Sequence, residues 1–225
     1  MAKPKKETID ELDLELLSAL YYLKQATATD LEKELKGEIT KAGISKRLKW
    51  LAEKGYLEEP EVDISADKLK KIYKAPNRDK LKTVFLEWYQ AEIYEPITKK
   101  FVAEASKEEQ YTLEEAYSDY PLGKAYEDDR ILMLSRLSLK DLEELRKGIS
   151  LKEAIEILEG YSELFSYEIA GLVTVEDEIV KLTDKGLKAV LEKKIEAMTK
   201  ELTKLKELDK EAYQKLLAKF CKDLS

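Results

Sequence analysis

Histidine is absent from all 225 residues. Its absence removes Ser–His and Cys–His nucleophile pairs, imidazole acid–base chemistry near neutral pH and most transition-metal sites. One cysteine, Cys221, cannot form an intramolecular disulfide, which fits an intracellular chain. The eight glycines are scattered singly and compose neither GxGxxG nor a phosphate-binding loop. No apolar run reaches the length of a bilayer span, and the opening MAKPKKETID lacks the apolar core of a secretory signal. A cytoplasmic protein with no membrane partner is therefore expected. Adjacent carboxylates such as Glu114 and Glu115, or Asp128 and Asp129, are what 47 acidic residues produce by chance. Together these absences predict no catalytic residues, no metal and no cofactor, hence a binding protein rather than an enzyme.

Charge is what the chain has in abundance: 39% of residues are charged and the formal net charge is −7. That average argues against nucleic acid, but the distribution is uneven. Residues 1–76 carry 15 basic and 15 acidic side chains, whereas residues 77–225 carry 25 and 32. Within the neutral part, Thr40–Lys54 has five basic residues against one acid, and Asp67–Lys80 has six against two. Abundant Lys and Glu with few Gln, one Cys and no His matches the bias of hyperthermophile proteins, so a thermophilic source is an expectation.

The length suits two modules, each with its own interior. Leu12, Leu16, Leu20 and Leu23, widened by Leu17 and Tyr21, predict a first core helix. The Thr27-Ala28-Thr29 stretch supplies an N-cap for a short helix over Asp30–Lys36, Gly37 ends it, and Thr40 caps the next. Ile44, Leu48 and Leu51 then share one face of a helix whose other faces carry Lys41, Ser45, Lys46 and Lys49. Gly55 closes that helix. The segment SADKLKKIYK places Lys68, Lys70, Lys71 and Lys74 around Leu69, Ile72 and Tyr73, as in a ribbon with a cationic edge.

The run ISKRLKWLAEKGYL, preceded by two helical segments and followed by a basic hairpin ending in KIYKAP, resembles the winged helix-turn-helix regulators of the ArsR/MarR type. The resemblance covers about the first third of the chain. It implies double-stranded DNA as partner, with helix 40–54 in the major groove and the 65–74 wing on the phosphates. Thr40, Lys41, Ser45, Lys46 and Lys49 would then meet base edges or phosphates, Arg47 the backbone flank, and Lys68, Lys70 and Lys71 the adjacent phosphates. Trp50 lies beside the buried stripe, where it either packs on the first helix or the following module or contacts a partner chain. Gly43 reflects either a late helix start or a close approach to DNA.

Beyond Pro76, Leu81, Val84, Phe85 and Trp88 predict a helix that ends or bends near Pro96, with another from Ile97 to about Ala105. Tyr111, Tyr117, Tyr120 and Tyr126 form either helix-junction packing or an aromatic effector pocket. Ser138 and Ser150 cap two further helices, the second read as Leu151–Leu164. YEIAGLVTVEDEIVKL alternates like two strands, and LVTVEDEIVKLTDKGLKAV resembles a MarR-like wing with its following helix. This second unit is acidic, so its helix would be repelled by phosphate and suits a protein partner or internal packing. The tail places Leu191, Ile195, Met198, Leu202 and Leu205 on a heptad seam, expected to make a homodimer. The alternatives for the tail are folding back on its own module or pairing with another protein.

The expectation is thus a mainly α protein with small β-hairpin wings (α+β). Its units are a DNA-binding winged helix at 1–76, a helical linker at 77–130, a second, acidic winged-helix-like unit at 131–190 and a C-terminal dimerisation helix at 191–225. Its function would be dimeric transcription regulation. The rival is a tandem winged-helix adaptor that binds protein partners in a larger assembly and never touches DNA.

Overall fold

The structure, a computed structural model, describes residues 8–36, 39–63, 70–104 and 121–223. Among these the fold is mainly helical, with two small antiparallel sheets of three strands each. Helix α1 (Glu11–Leu23) opens with a capping box in which the Asp10 and Asp13 carboxylates accept each other's backbone N–H. It leads to β1 (Gln25–Ala26), α2 (Ala28–Glu34) capped by Thr27, and α3 (Lys41–Glu53) capped by Thr40. Then β2 (Glu61–Asp63) and β3 (Lys70–Lys74) form a ribbon with Val62 opposite Lys71. β1 pairs with the other edge of β3, giving the order β1-β3-β2.

Asn77 caps α4 (Arg78–Tyr89) by accepting from the N–H groups of Asp79 and Lys80. The helical path does not stop at Pro96. A π turn over Gln90–Tyr94 carries it into α5 (Glu95–Glu104), placing the wide turn just before a residue with no N–H to return. After α6 (Leu122–Leu134), the second unit runs α7 (Leu139–Lys147), β4 (Ile149–Ser150), α8 (Leu151–Ile157), α9 (Tyr161–Ile169), β5 (Val173–Glu176) and β6 (Ile179–Leu182). Its sheet order, β4-β6-β5, repeats that of the first.

Two expected helices are broken in the structure. The one read over Leu151–Leu164 divides at Glu159 and Gly160, whose φ values are +64° and +150°. The division lets the Glu15 carboxylate of α1 accept from the N–H groups of Tyr161 (2.9 Å) and Ser162 (2.7 Å), capping α9 from another element. A Cβ at residue 160 would stand 3.1 Å from Glu15 Oε2, so glycine serves both the turn and the approach. The tail is also two helices, α10 (Asp184–Leu208) and α11 (Lys210–Asp223), separated by extended backbone at Asp209. Because α10 begins at Asp184, the boundary expected at 190/191 falls inside a helix.

Each unit has its own core, and α9 belongs to both. Tyr161 and Phe165 face the first core, where Phe165 lies 5.0 Å from the Tyr21 ring and 5.1 Å from that of Phe85. Leu164 and Tyr167 face the second core. Helix α1 is consequently buried on nearly all sides, including Asp13 and Ser18.

Candidate nucleic-acid interface

Helix α3 packs Ile44, Leu48 and Leu51 inward at zero exposure, and its outer face follows from that register. Thr40, Lys41, Lys46 and Lys49 are exposed and Ser45 is half-buried. Thr40 accepts from Gly43 N–H at 3.3 Å, which places Gly43 in the first turn of the helix rather than before it. Lys41 gives its backbone N–H to Glu32, 2.7 Å away. Lys49 pairs loosely with Glu53 at 3.6 Å, an exposed contact that water and salt weaken. Lys46 has no ion pair among the described residues.

Arg47 is a correction to the sequence reading. Its Nη1 lies 2.9 Å from Asp10 Oδ1 and 2.9 Å from Asp13 Oδ1, with Asp13 fully buried. The guanidinium therefore ties α3 to the first turn of α1 and is not directed at a phosphate. Trp50 is half-buried, packed on the first core, with its ring 6.1 Å from that of Tyr56.

On the ribbon, Lys70 and Lys71 are exposed, while Lys68 lies outside the described residues. Lys70 is close enough to Asp30 to help lower its pKa, after the larger effect of hydrogen bonds from Thr27. Lys74 pairs across the strands with Glu61, Arg78 reaches Glu168 at 3.2 Å, and Lys80 donates to the carbonyl of Gly55. Much of the basic surplus around Asp67–Lys80 is thus engaged within the protein. Of the lysines expected to touch DNA, Lys41, Lys46, Lys49, Lys70 and Lys71 face outward among the described residues.

The equivalent helix of the second unit has no free face. α9 carries Glu163 and Glu168, is capped by Glu15, and buries Tyr161, Leu164, Phe165, Ser166 and Tyr167. Around it, the Tyr22 hydroxyl donates to Glu168 (2.7 Å) and the Tyr161 hydroxyl to Glu34 (3.1 Å). Sequence reasoning missed Glu15, Phe165 and Glu168 as the residues that join the units. The one visible trace is the breadth of the α1 stripe at Leu17, Tyr21 and Tyr22, more apolar surface than a single unit needs.

Of the four tyrosines considered as a pocket, Tyr126 is buried edge-on against Tyr89, 4.9 Å between centroids, and Tyr111, Tyr117 and Tyr120 lie outside the described residues. On the expected dimer seam, Leu191, Ile195 and Met198 are 40%, 63% and 56% exposed, and Leu202 and Leu205 are half-buried. Among the described residues there is no group of three or more Cys, Asp or Glu placed to hold a metal ion. Nor is any helix among them long and apolar enough to cross a membrane. No protein-family model, curated protein or solved structure matches the chain.

Proposed function

We propose that the chain is a DNA-binding regulator of the winged-helix type, with α3 in the major groove and the β2–β3 ribbon as the wing on the phosphates. The observation that carries the reading is an asymmetry between two units of the same element order. The basic α3 keeps its outer face open, whereas the acidic α9 is sealed against α1. One unit is left free to meet a ligand, and its free helix carries the sign of charge that phosphate attracts. Lys41, Ser45, Lys46 and Lys49 are the contacts expected from α3, and Lys70 and Lys71 those from the wing.

Two copies would pair through the apolar stripe of α10, which contains Leu191, Ile195 and Met198, so that two α3 helices address successive grooves. The same exposed stripe also favours a second reading, an adaptor that uses α10 to hold another protein. Fluorescence anisotropy with a random DNA duplex at low salt separates the two. Regulator and adaptor differ in whether the parent binds at all, and in whether Lys46→Glu/Lys49→Glu abolishes that binding. No binding by the parent would leave the adaptor.

A further inference from the structure

Ile44, Leu48 and Leu51 seat α3 on the core through apolar contacts, which have no directional preference. Orientation comes from hydrogen bonds, which have one. At the N-terminus of α3, Glu32 of α2 accepts the N–H of Lys41 at 2.7 Å. Midway along the helix, Arg47 Nη1 lies 2.9 Å from both carboxylate oxygens of Asp10 and 2.9 Å from Asp13 Oδ1.

The two acids are themselves fixed. Asp13 Oδ2 accepts the backbone N–H of Asp10 at 3.1 Å, and Asp10 Oδ1 accepts that of Asp13 at 3.0 Å. Asp13 thus gives one oxygen to the cap of α1 and the other to α3, from a position with no exposure to solvent. A carboxylate at that depth is a poor adhesive, because its desolvation offsets much of what the pairing returns. It is a good locator, since a fixed acceptor holds the guanidinium in one place. Arg47 sits one residue after Lys46 and two before Lys49, so its seat sets the direction in which those lysines leave the protein.

We propose that Asp13 and Arg47 are positioning residues for DNA binding: the buried carboxylate, through the guanidinium, sets the angle at which α3 presents Lys46 and Lys49 to the duplex. This rests on the DNA reading and adds an effect opposite in sign to bulk electrostatics. Removing an acid from a protein that binds a polyanion favours binding when nothing else changes. Removing the charge of Asp13 should instead weaken it, because asparagine offers one acceptor oxygen where Asp13 uses two.

Fluorescence anisotropy of the full chain with a random duplex over a salt series tests it, on the parent, Asp13→Asn, Arg47→Met and the double variant, at a temperature where circular dichroism shows each folded. Asp13→Asn and Arg47→Met should each weaken binding about tenfold, the scale of a misplaced contact surface. Their salt slopes should stay within about 0.5 of the parent's, since no phosphate contact is removed. The double variant should bind no more weakly than Arg47→Met, because both changes break one contact. Ser138→Ala, which removes the cap of α7 in the second unit, should lose stability yet keep the parent's affinity. Equal or tighter binding by Asp13→Asn would overturn the proposal, as would additive losses in the double variant. So would a slope shallower by about 0.9 in Arg47→Met, the signature of a lost phosphate contact. That slope decides the matter even if Asp13→Asn does not fold. A parent that binds no duplex at low salt would overturn the DNA reading itself, and this proposal with it.

Discussion

At the scale of single residues, two side chains and a glycine hold the architecture more firmly than their chemistry advertises. Glu15 satisfies two N–H groups at the start of α9 that no residue of α9 reaches. Replacing it with alanine should cost about 2 kcal/mol, the range for charge-assisted hydrogen bonds, read from urea denaturation. Phe165 is fully buried among Tyr21, Tyr22 and Phe85, at the centre of the contact between the units. Gly186 sits in the first turn of α10, where a Cβ would stand 2.2 Å from the carbonyl oxygen of Leu172. Gly186→Ala must displace backbone and should lower stability by about 2 kcal/mol or more. Gly123→Ala is the control: among the described residues nothing lies within 4 Å of its would-be Cβ in α6, so the same change should be neutral or stabilising by up to about 1 kcal/mol. The caps at Thr40, Ser138 and Ser150 were legible in the sequence, and that of α2 to within Thr27-Ala28-Thr29, because each is a local pairing of a hydroxyl with an N–H three residues on. Arg47 was not. Its partners, Asp10 and Asp13, are more than thirty residues away, and a basic residue on a basic helix reads as a ligand contact until the fold supplies the acids.

Elements show the same divide between local and long-range information. The inward stripes of α1, α3 and α4 follow from spacing, and so do the order of the helices and the two hairpins. The break between α8 and α9 does not, since apolar spacing continues through it, whereas at Asp209 the spacing stutters between Leu208 and Tyr213 without fixing where the helix stops. The former exists because α9 serves two cores, and α1, the element that makes it do so, lies more than a hundred residues earlier in the chain. The α1–α9 contact also sets a pH dependence. Tyr22 and Tyr161 have their pKa values raised above the ordinary phenol value, first by burial and then by Glu168 and Glu34 respectively. Above pH 10 the unfolded chain releases these protons while the folded chain retains them. Stability is therefore intact below pH 10 and falls as pH rises beyond it, by up to about 1.4 kcal/mol per pH unit for each phenol. Tyr22→Phe should lessen that slope, at the expense of the bond to Glu168. A urea midpoint that does not move between pH 9 and pH 11 would contradict this account of the interface.

For the whole molecule, net charge misleads and distribution informs. The −7 of the chain sits mainly beyond residue 76, and α3 presents lysines that the rest of the fold leaves open. The exposed stripe of α10 predicts self-association. Light scattering should give about twice the 26.0 kDa chain mass, and Ile195→Asp should return it to the monomer. How the two units sit together could not be read from the sequence, because an acidic repeat of a basic unit is equally compatible with a second ligand surface. In the structure Glu15, Phe165 and Glu168 together seat α9 against the first unit.

The central claim is that the lysines of α3 and of the ribbon meet phosphates, and the salt dependence of duplex binding tests it most directly. About five contacts per chain give a slope of log K against log[salt] of roughly −4.5 for one chain on B-DNA. Lys46→Glu/Lys49→Glu should make that slope shallower by about 2 and weaken binding at every salt concentration. A slope identical in parent and variant would place the contact elsewhere on the protein and contradict the account, as would the absence of binding at low salt.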